Sequence, residues 1–154
     1  MQFLSLLQPE HIVLDVKVGK KKEIIENLLE VLVKAGEVYN SSKLLEELME
    51  REKLSSTGIG DGIAIPHKLT DDVHETMMVF GRSVEGLYFK AIDNKPVHLF
   101  FLVIGNTNSA MEHLRILSKL SRLLHDGTFR NRLILAESAE EVISIFTEKE
   151  LDQN

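Results

Sequence analysis

The chain has 154 residues, enough for one domain of ordinary size, and its lack of cysteine excludes a disulfide framework and a thiol nucleophile. A formal charge of −6, from 24 acidic and 18 basic residues with no basic block, speaks against nucleic-acid binding. No stretch approaches the ~20 apolar residues of a membrane span, and the opening MQFLSLLQPEHIVLDV lacks a signal peptide's charged leader and long apolar run, so a cytoplasmic protein is expected.

No repeat or linker divides the chain, which reads as one domain over residues 1–150 and a frayed tail over 151–154. His11 to Val16 is rich in β-branched residues and predicts a strand. Ile24, Ile25, Leu28, Leu29, Val31 and Leu32 then recur at helical spacing, predicting a helix over Lys20–Ala35 that Gly36 stops. Asn40, Ser41 or Ser42 caps a second helix with Leu44, Leu45, Leu48 and Met49 on its apolar face. The glycine-rich stretch Ser55–Gly62 interrupts all periodicity, and the short apolar run Ile63-Ala64-Ile65 leads to Pro66 and His67.

Glu75–Ser83 and Val97–Ile104 read as strands, the second apolar enough to be covered on both faces; the segment between them predicts a turn and an irregular or edge piece. Ser109–His125 predicts an amphipathic helix opening on a Ser109/Glu112 capping box and ending at Asp126-Gly127. A short helix from Thr128 follows, and Ser138 with Glu141 opens a last helix running to about Glu148. Strands interleaved with helices imply an α/β domain whose helices pack on a central sheet.

The least ordinary stretch runs from Thr57 to His67. Gly58, Gly60 and Gly62 allow positive φ and close backbone approach, which suits either an anion cradle of backbone N–H groups or a tight loop entering a strand. No Gly-Lys-Ser/Thr follows, which excludes a P-loop, and the strand-like run after the glycines excludes a dinucleotide fingerprint. His67 follows a proline at the end of an apolar run, a strand-edge position that suits a surface histidine or a functional one.

Two further residues bear on that choice. Leu44, Leu48 and Arg51 fall at i, i+4 and i+7, so Arg51 continues the apolar stripe of the second helix. His113, Leu117, Leu120 and Leu124 place His113 at the first inward position of the third helix, in the turn where the helix dipole favours an anion. An arginine, two histidines and a helix N-terminus can converge on one phosphate. Equally, Arg51 can snorkel to solvent and His113 can be a satisfied core residue. His11, His74, His98 and His125 show no metal-ligand spacing: there is no HExxH motif, no His-x-His pair and no cysteine. No G-x-S-x-G elbow is present for a hydrolytic triad. Ser55, Ser56, Thr57, Asp61 and Asp71 lie close enough in sequence to hydrogen-bond His67 or to be solvated loop residues.

The stretch from Arg51 to His67, Arg-Glu-Lys-Leu-Ser-Ser-Thr-Gly-Ile-Gly-Asp-Gly-Ile-Ala-Ile-Pro-His, resembles the active-site signature of enzyme IIA domains of the bacterial phosphoenolpyruvate-dependent sugar phosphotransferase system, in the fructose/mannitol class that includes a nitrogen-regulatory paralogue. The resemblance extends through Val97–Leu102, Glu112-His113-Leu114 and Ala136–Glu141. It implies a single three-layer α/β/α sandwich around a mixed sheet of about five strands. It also implies that His67 is phosphorylated, with Arg51 and His113 as its active-site partners and the loop amides around Thr57, Gly58, Gly60 and Gly62 as further phosphate donors. The implied donor is the phosphohistidine of HPr and the implied acceptor a cysteine or histidine of an enzyme IIB, with the membrane met only through an enzyme IIC and no metal or cofactor required. Lys68 and the Ile104–Ser109 loop depart from the pattern, which bears on partner and sugar class. The physiological expectation is fructose- or mannitol-type sugar uptake, with nitrogen-type regulation through phosphorylation-dependent partner binding as the alternative.

Overall fold

In the computed structural model, which describes residues 3–153, two 3-10 turns at Phe3–Leu6 and Pro9–His11 lead into β1 (Ile12–Val13). The expected His11–Val16 strand thus shortens to two residues, although Val16 N–H still bonds the Arg82 carbonyl at 3.0 Å. α1 (Lys21–Lys34) ends as its glycine requires: Gly36 has φ +72, and the Glu37 and Gly36 amides close onto Leu32 and Val33. α2 (Ser41–Leu54) is capped by the Asn40 side chain, which accepts from Lys43 N–H. The chain then forms β2 (Gly58–Gly60), β3 (Ile63–Ala64) and β4 (His67–Thr70), followed by the long strands β5 (Met77–Leu87) and β6 (Val97–Asn106).

β5 and β6 form the antiparallel spine of a mixed sheet, with β1 parallel to β5, β3 and β4 both parallel to β6, and β2 antiparallel to β3. Six strands replace the expected five for a simple reason. Ile63 faces Leu99 and His67 faces Val103, so the register is unchanged across Ile65-Pro66 and β3 and β4 are one line of chain interrupted at a proline with no N–H to donate. Pro66 still offers its carbonyl, which accepts from Val103 N–H at 3.0 Å.

α3 (Ala110–Leu123), α4 (Gly127–Leu135) and α5 (Ala139–Gln153) complete the fold. Side-chain alternation along the strands divides the core in two. Val79, Phe100, Leu102 and Ile104 pack under α1 and α2, whereas Phe80, Phe101, Val103 and Ile65 pack under α3, α4 and α5. The result is the expected α/β/α layering. Buried Arg82 bonds the carbonyls of Leu14, Ile134 and Ala136, joining the start of the sheet to the end of α4.

Three local expectations change. The Ser109/Glu112 capping box does not form, because a 3-10 turn over Thr107–Ser109 precedes α3 and is itself capped by Asn106, leaving Ser109 without extended cap geometry. The buried stripe of α2 continues from Leu44 and Leu48 to Glu52, not to Arg51, which is half-buried. The last helix runs to Gln153 in place of a frayed tail. Lys149 pairs with Asp126 at 2.8 Å and Glu150 with Lys119 at 2.6 Å, tying its final turns to the domain; Asn154 lies outside the described residues.

Candidate functional site

His67 opens β4 on the face that carries Ile63, Ile65 and Val103, the face covered by α3. Its neighbour Lys68 points the other way, to Glu47 of α2 at 3.9 Å. The half-buried His67 ring has Nδ1 at 2.7 Å from the Ile65 carbonyl oxygen. A carbonyl can only accept, so Nδ1 carries the hydrogen, and in the neutral ring the lone pair sits on Nε2. A backbone atom two residues upstream therefore chooses the nucleophilic nitrogen.

His113 meets this ring from above. It lies in the first turn of α3, pointing inward as its periodicity requires, and the two imidazole centroids are 5.8 Å apart at 48°. The approach is possible because residue 105 of β6 is glycine: a Cβ there would stand 2.8 Å from His113 Nδ1. Burial, and next the charge of His67 when that ring is protonated, hold the His113 pKa below the ordinary histidine value. His113 is accordingly neutral at cellular pH, carrying one N–H. Met111 and Leu114, on the outer side of the same turn, are exposed.

The other sequence-derived candidates lie elsewhere. Arg51 belongs to the opposite helical layer, and its Nη1 donates to the Ser55 carbonyl at 2.9 Å, not to His67. Thr57 is buried, with both its N–H and its hydroxyl given to the Glu52 carboxylate. That carboxylate also accepts from Lys21 Nζ at 2.7 Å, so Lys21, Glu52 and Thr57 fasten α1 and α2 to the start of β2. Gly58 N–H goes to Ser56 Oγ, and a Cβ on Gly58 would lie 2.8 Å from that of Ala91. Gly60 and Gly62, at φ +100 and +76, turn the β2–β3 hairpin. Ile63 pairs four residues before His67's partner along β6, so that turn lies about 13 Å or more from His67. The glycines serve chain reversal and close packing there and are not brought to His67.

Among the remaining histidines, His11 bonds Glu37 at 3.0 Å, His74 bonds Tyr39 at 2.7 Å, and His98 is held by the Ser83 and Val84 carbonyls. No group of three or more metal-ligating side chains occurs among the described residues. Three contributors escaped sequence reasoning: the Ile65 carbonyl, Gly105 and Glu52. A single glycine within an otherwise apolar strand is a signal of close backbone approach, and Gly105 in β6 is one. Glu52, at i+4 from Leu48, was available from the helical period.

Residues 5–149 match the family described as "Phosphoenolpyruvate-dependent sugar phosphotransferase system, EIIA 2". The fructose-specific EIIA component of Haloferax volcanii is 40% identical over 146 residues, covering 94% of this chain and 95% of that protein. The fructose-specific EIIABC component of Bacillus subtilis is 36% identical over 148 residues, which are 96% of this chain but 23% of that longer protein. The crystal structure of the nitrogen regulatory protein IIA-Ntr of Neisseria meningitidis superposes with a TM-score of 0.85 at 39% identity, covering 92% of this chain and 97% of that one. The Escherichia coli mannitol enzyme IIA, in complex with phosphorylated mannitol enzyme IIB, superposes at 0.78 and 29% identity, over 92% and 96% of the two chains.

Proposed function

The chain belongs to the EIIA type-2 family of the phosphoenolpyruvate-dependent sugar phosphotransferase system, whose members act as phosphotransfer intermediates, and from that premise we propose that Nε2 of His67 is the atom that carries the phosphoryl group. The observation that supports this most is the 2.7 Å contact from Nδ1 to the Ile65 carbonyl, because it leaves the lone pair on Nε2.

The donor is the phosphohistidine of HPr. The Nε2 lone pair attacks phosphorus in line; the new N–P bond forms as the donor's N–P bond breaks and its electron pair returns to the donor imidazole. The hydrogen on Nδ1 stays where it is, so the step needs no proton transfer and no metal. Charge spread over the three phosphoryl oxygens is the main demand on the protein. Neutral His113 meets it by donating one ring N–H, and the first turn of α3 adds the positive end of a helix dipole. Arg51 is the third participant. β4 has no strand on its outer side among the described residues, so the guanidinium can leave the Ser55 carbonyl and reach round that edge to the phosphoryl oxygens. The exposed Met111 and Leu114 beside His113 give partner proteins an apolar surface at the site.

From His67 the group passes to an enzyme IIB of the fructose type, in keeping with the 40% identity to a fructose-specific EIIA. A nitrogen-type regulatory role has its own support in the 0.85 superposition on IIA-Ntr, and it shares the same site. Charging the protein with phosphoenolpyruvate, enzyme I and HPr, then reading the imidazole nitrogens by 15N NMR, tests the chemistry. Phosphate on Nε2 of His67 is expected; phosphate on Nδ1, or on another residue, overturns the proposal. Mixing the charged protein with a fructose-type IIB separates the roles, since transfer supports uptake and its failure supports regulation.

A further inference from the structure

His113 Nδ1 and Thr76 Oγ1 are both buried polar atoms without a hydrogen-bond partner, and both residues are more than nine-tenths buried. A buried polar group left unpaired is costly, so two of them near one site call for an explanation. The sheet register supplies it. The last β5–β6 pair is Met77 with Ile104, so one further step sets Thr76 across from Gly105. Alternation from Met78, which packs in the α3-side core, puts the Thr76 side chain on the face where His113 lies over Gly105. Directly opposed Cβ positions in an antiparallel pair are ~5 Å apart. His113 Nδ1 is 2.8 Å from the Cβ position that Gly105 leaves empty. The two atoms are not hydrogen-bonded to each other as they stand, and a turn about the Thr76 Cα–Cβ bond brings the hydroxyl, the neighbouring donor, towards that nitrogen.

We infer that Gly105 and Thr76 are positioning residues for His113: Gly105 leaves the space its ring occupies, and Thr76 gives its hydroxyl hydrogen to Nδ1, so that Nε2 keeps the ring's only N–H for the phosphoryl group on His67. This rests on His67 as the phosphoryl carrier. Thr76 donating to Nδ1 selects the Nε2–H tautomer, just as the Ile65 carbonyl selects the opposite tautomer in His67. The two rings are thereby made complementary, one presenting a lone pair and the other a hydrogen. The site would work with His113 as a neutral donor throughout, in agreement with the burial that disfavours its charged form.

The test uses the full chain and HPr as the phosphoryl partner in both directions. Wild-type protein is charged to its end point, and the rate of phosphoryl return to unphosphorylated HPr is measured. If wild type takes no phosphate on His67, the carrier reading itself fails, separately from this inference. With wild type active, Thr76→Val is expected to charge to the same end point, to return phosphate roughly 3- to 10-fold more slowly, as for one lost hydrogen bond, and to shift the His113 ring-nitrogen resonances. Thr76→Ser is expected to restore both rate and spectrum. Thr76→Val in a His113→Ala background is expected to slow return no further, because it acts only through that ring. An unchanged rate and His113 spectrum in Thr76→Val, or a full additional slowing in the His113→Ala background, overturns the role of Thr76. Gly105→Ala provides the second arm: slowing that disappears in the His113→Ala background supports the space argument, and slowing that persists there overturns it.

Discussion

The two ends of β6 each lie beside a histidine anchored by backbone carbonyls, and the two rings differ in what surrounds their other nitrogen. At the start of the strand, the His98 ring fills the space left by Gly62 and Gly86: a Cβ on Gly62 would lie 3.3 Å from Cδ2, and one on Gly86 3.0 Å from Nε2. Its Nδ1 is shared between two backbone carbonyls, at 3.0 and 3.1 Å. Towards the other end, His67 is pinned through Nδ1 in the same way, and a second imidazole stands 5.8 Å away. A carbonyl-anchored ring is thus a structural device that both ends share. What distinguishes His67 is the second ring at its side, the buried and neutral imidazole of His113.

The widest separation between the two ends comes from deleting each ring. His67→Ala is expected to abolish acid-labile phosphate entirely, whereas His98→Ala should still charge to the wild-type end point and show a lowered melting temperature. Retained labelling in the first, or lost labelling in a folded second variant, would break the comparison.

Next in size is the ion cluster beside the glycine-rich hairpin. Glu52→Ala leaves Lys21 Nζ without its carboxylate and Thr57 without an acceptor, at an expected cost of about 3–5 kcal/mol. Urea unfolding measures this, and charging of the remaining folded protein should still reach His67. A loss under 1 kcal/mol would show that the cluster is not what anchors the hairpin.

His113→Ala sharpens the contrast at the His67 end. Charging should persist while phosphoryl return to HPr slows roughly 10- to 100-fold, the range for a lost hydrogen bond to a charged group. Return at the wild-type rate would remove His113 from the reaction.

The smallest effect is in pH dependence. Because folding lowers the His113 pKa, the folded state favours the neutral ring, and the unfolded chain binds more protons once pH falls below about 6.5. This contribution is fully present above that value and is lost as pH falls towards the lowered folded value, by no more than ~1.4 kcal/mol per pH unit. Comparing urea unfolding at pH 7.5 and 5.5 in wild type and His113→Gln should show a shallower decline in the variant. An equal decline would assign the acid sensitivity to other groups.

Much of this site is legible in the amino-acid sequence. His113 falls inward because it continues a 3.6-residue period, and the same argument succeeded for Leu44 and Leu48. It misplaced Arg51 because an arginine and a glutamate in consecutive positions both border the stripe, and the tie was broken by Lys21 and Thr57, which lie remote or across a loop in sequence. Gly58, Gly60 and Gly62 suit an anion cradle or a hairpin equally well. The choice depended on which backbone groups found strand partners.

The amino-acid sequence alone determined the α/β character, the helix limits that rest on Gly36 and Asn40, and the candidacy of His67 and His113, since each depends on local period or local backbone freedom. Only the tertiary structure decided which His67 nitrogen faces a backbone carbonyl, which layer holds Arg51, and which end of β6 brings two imidazoles together. Those depend on strand register. Register joins His67 to Val103, a residue far away in the chain, and so sets its ring beside His113 of the helix that follows β6, which no local pattern encodes.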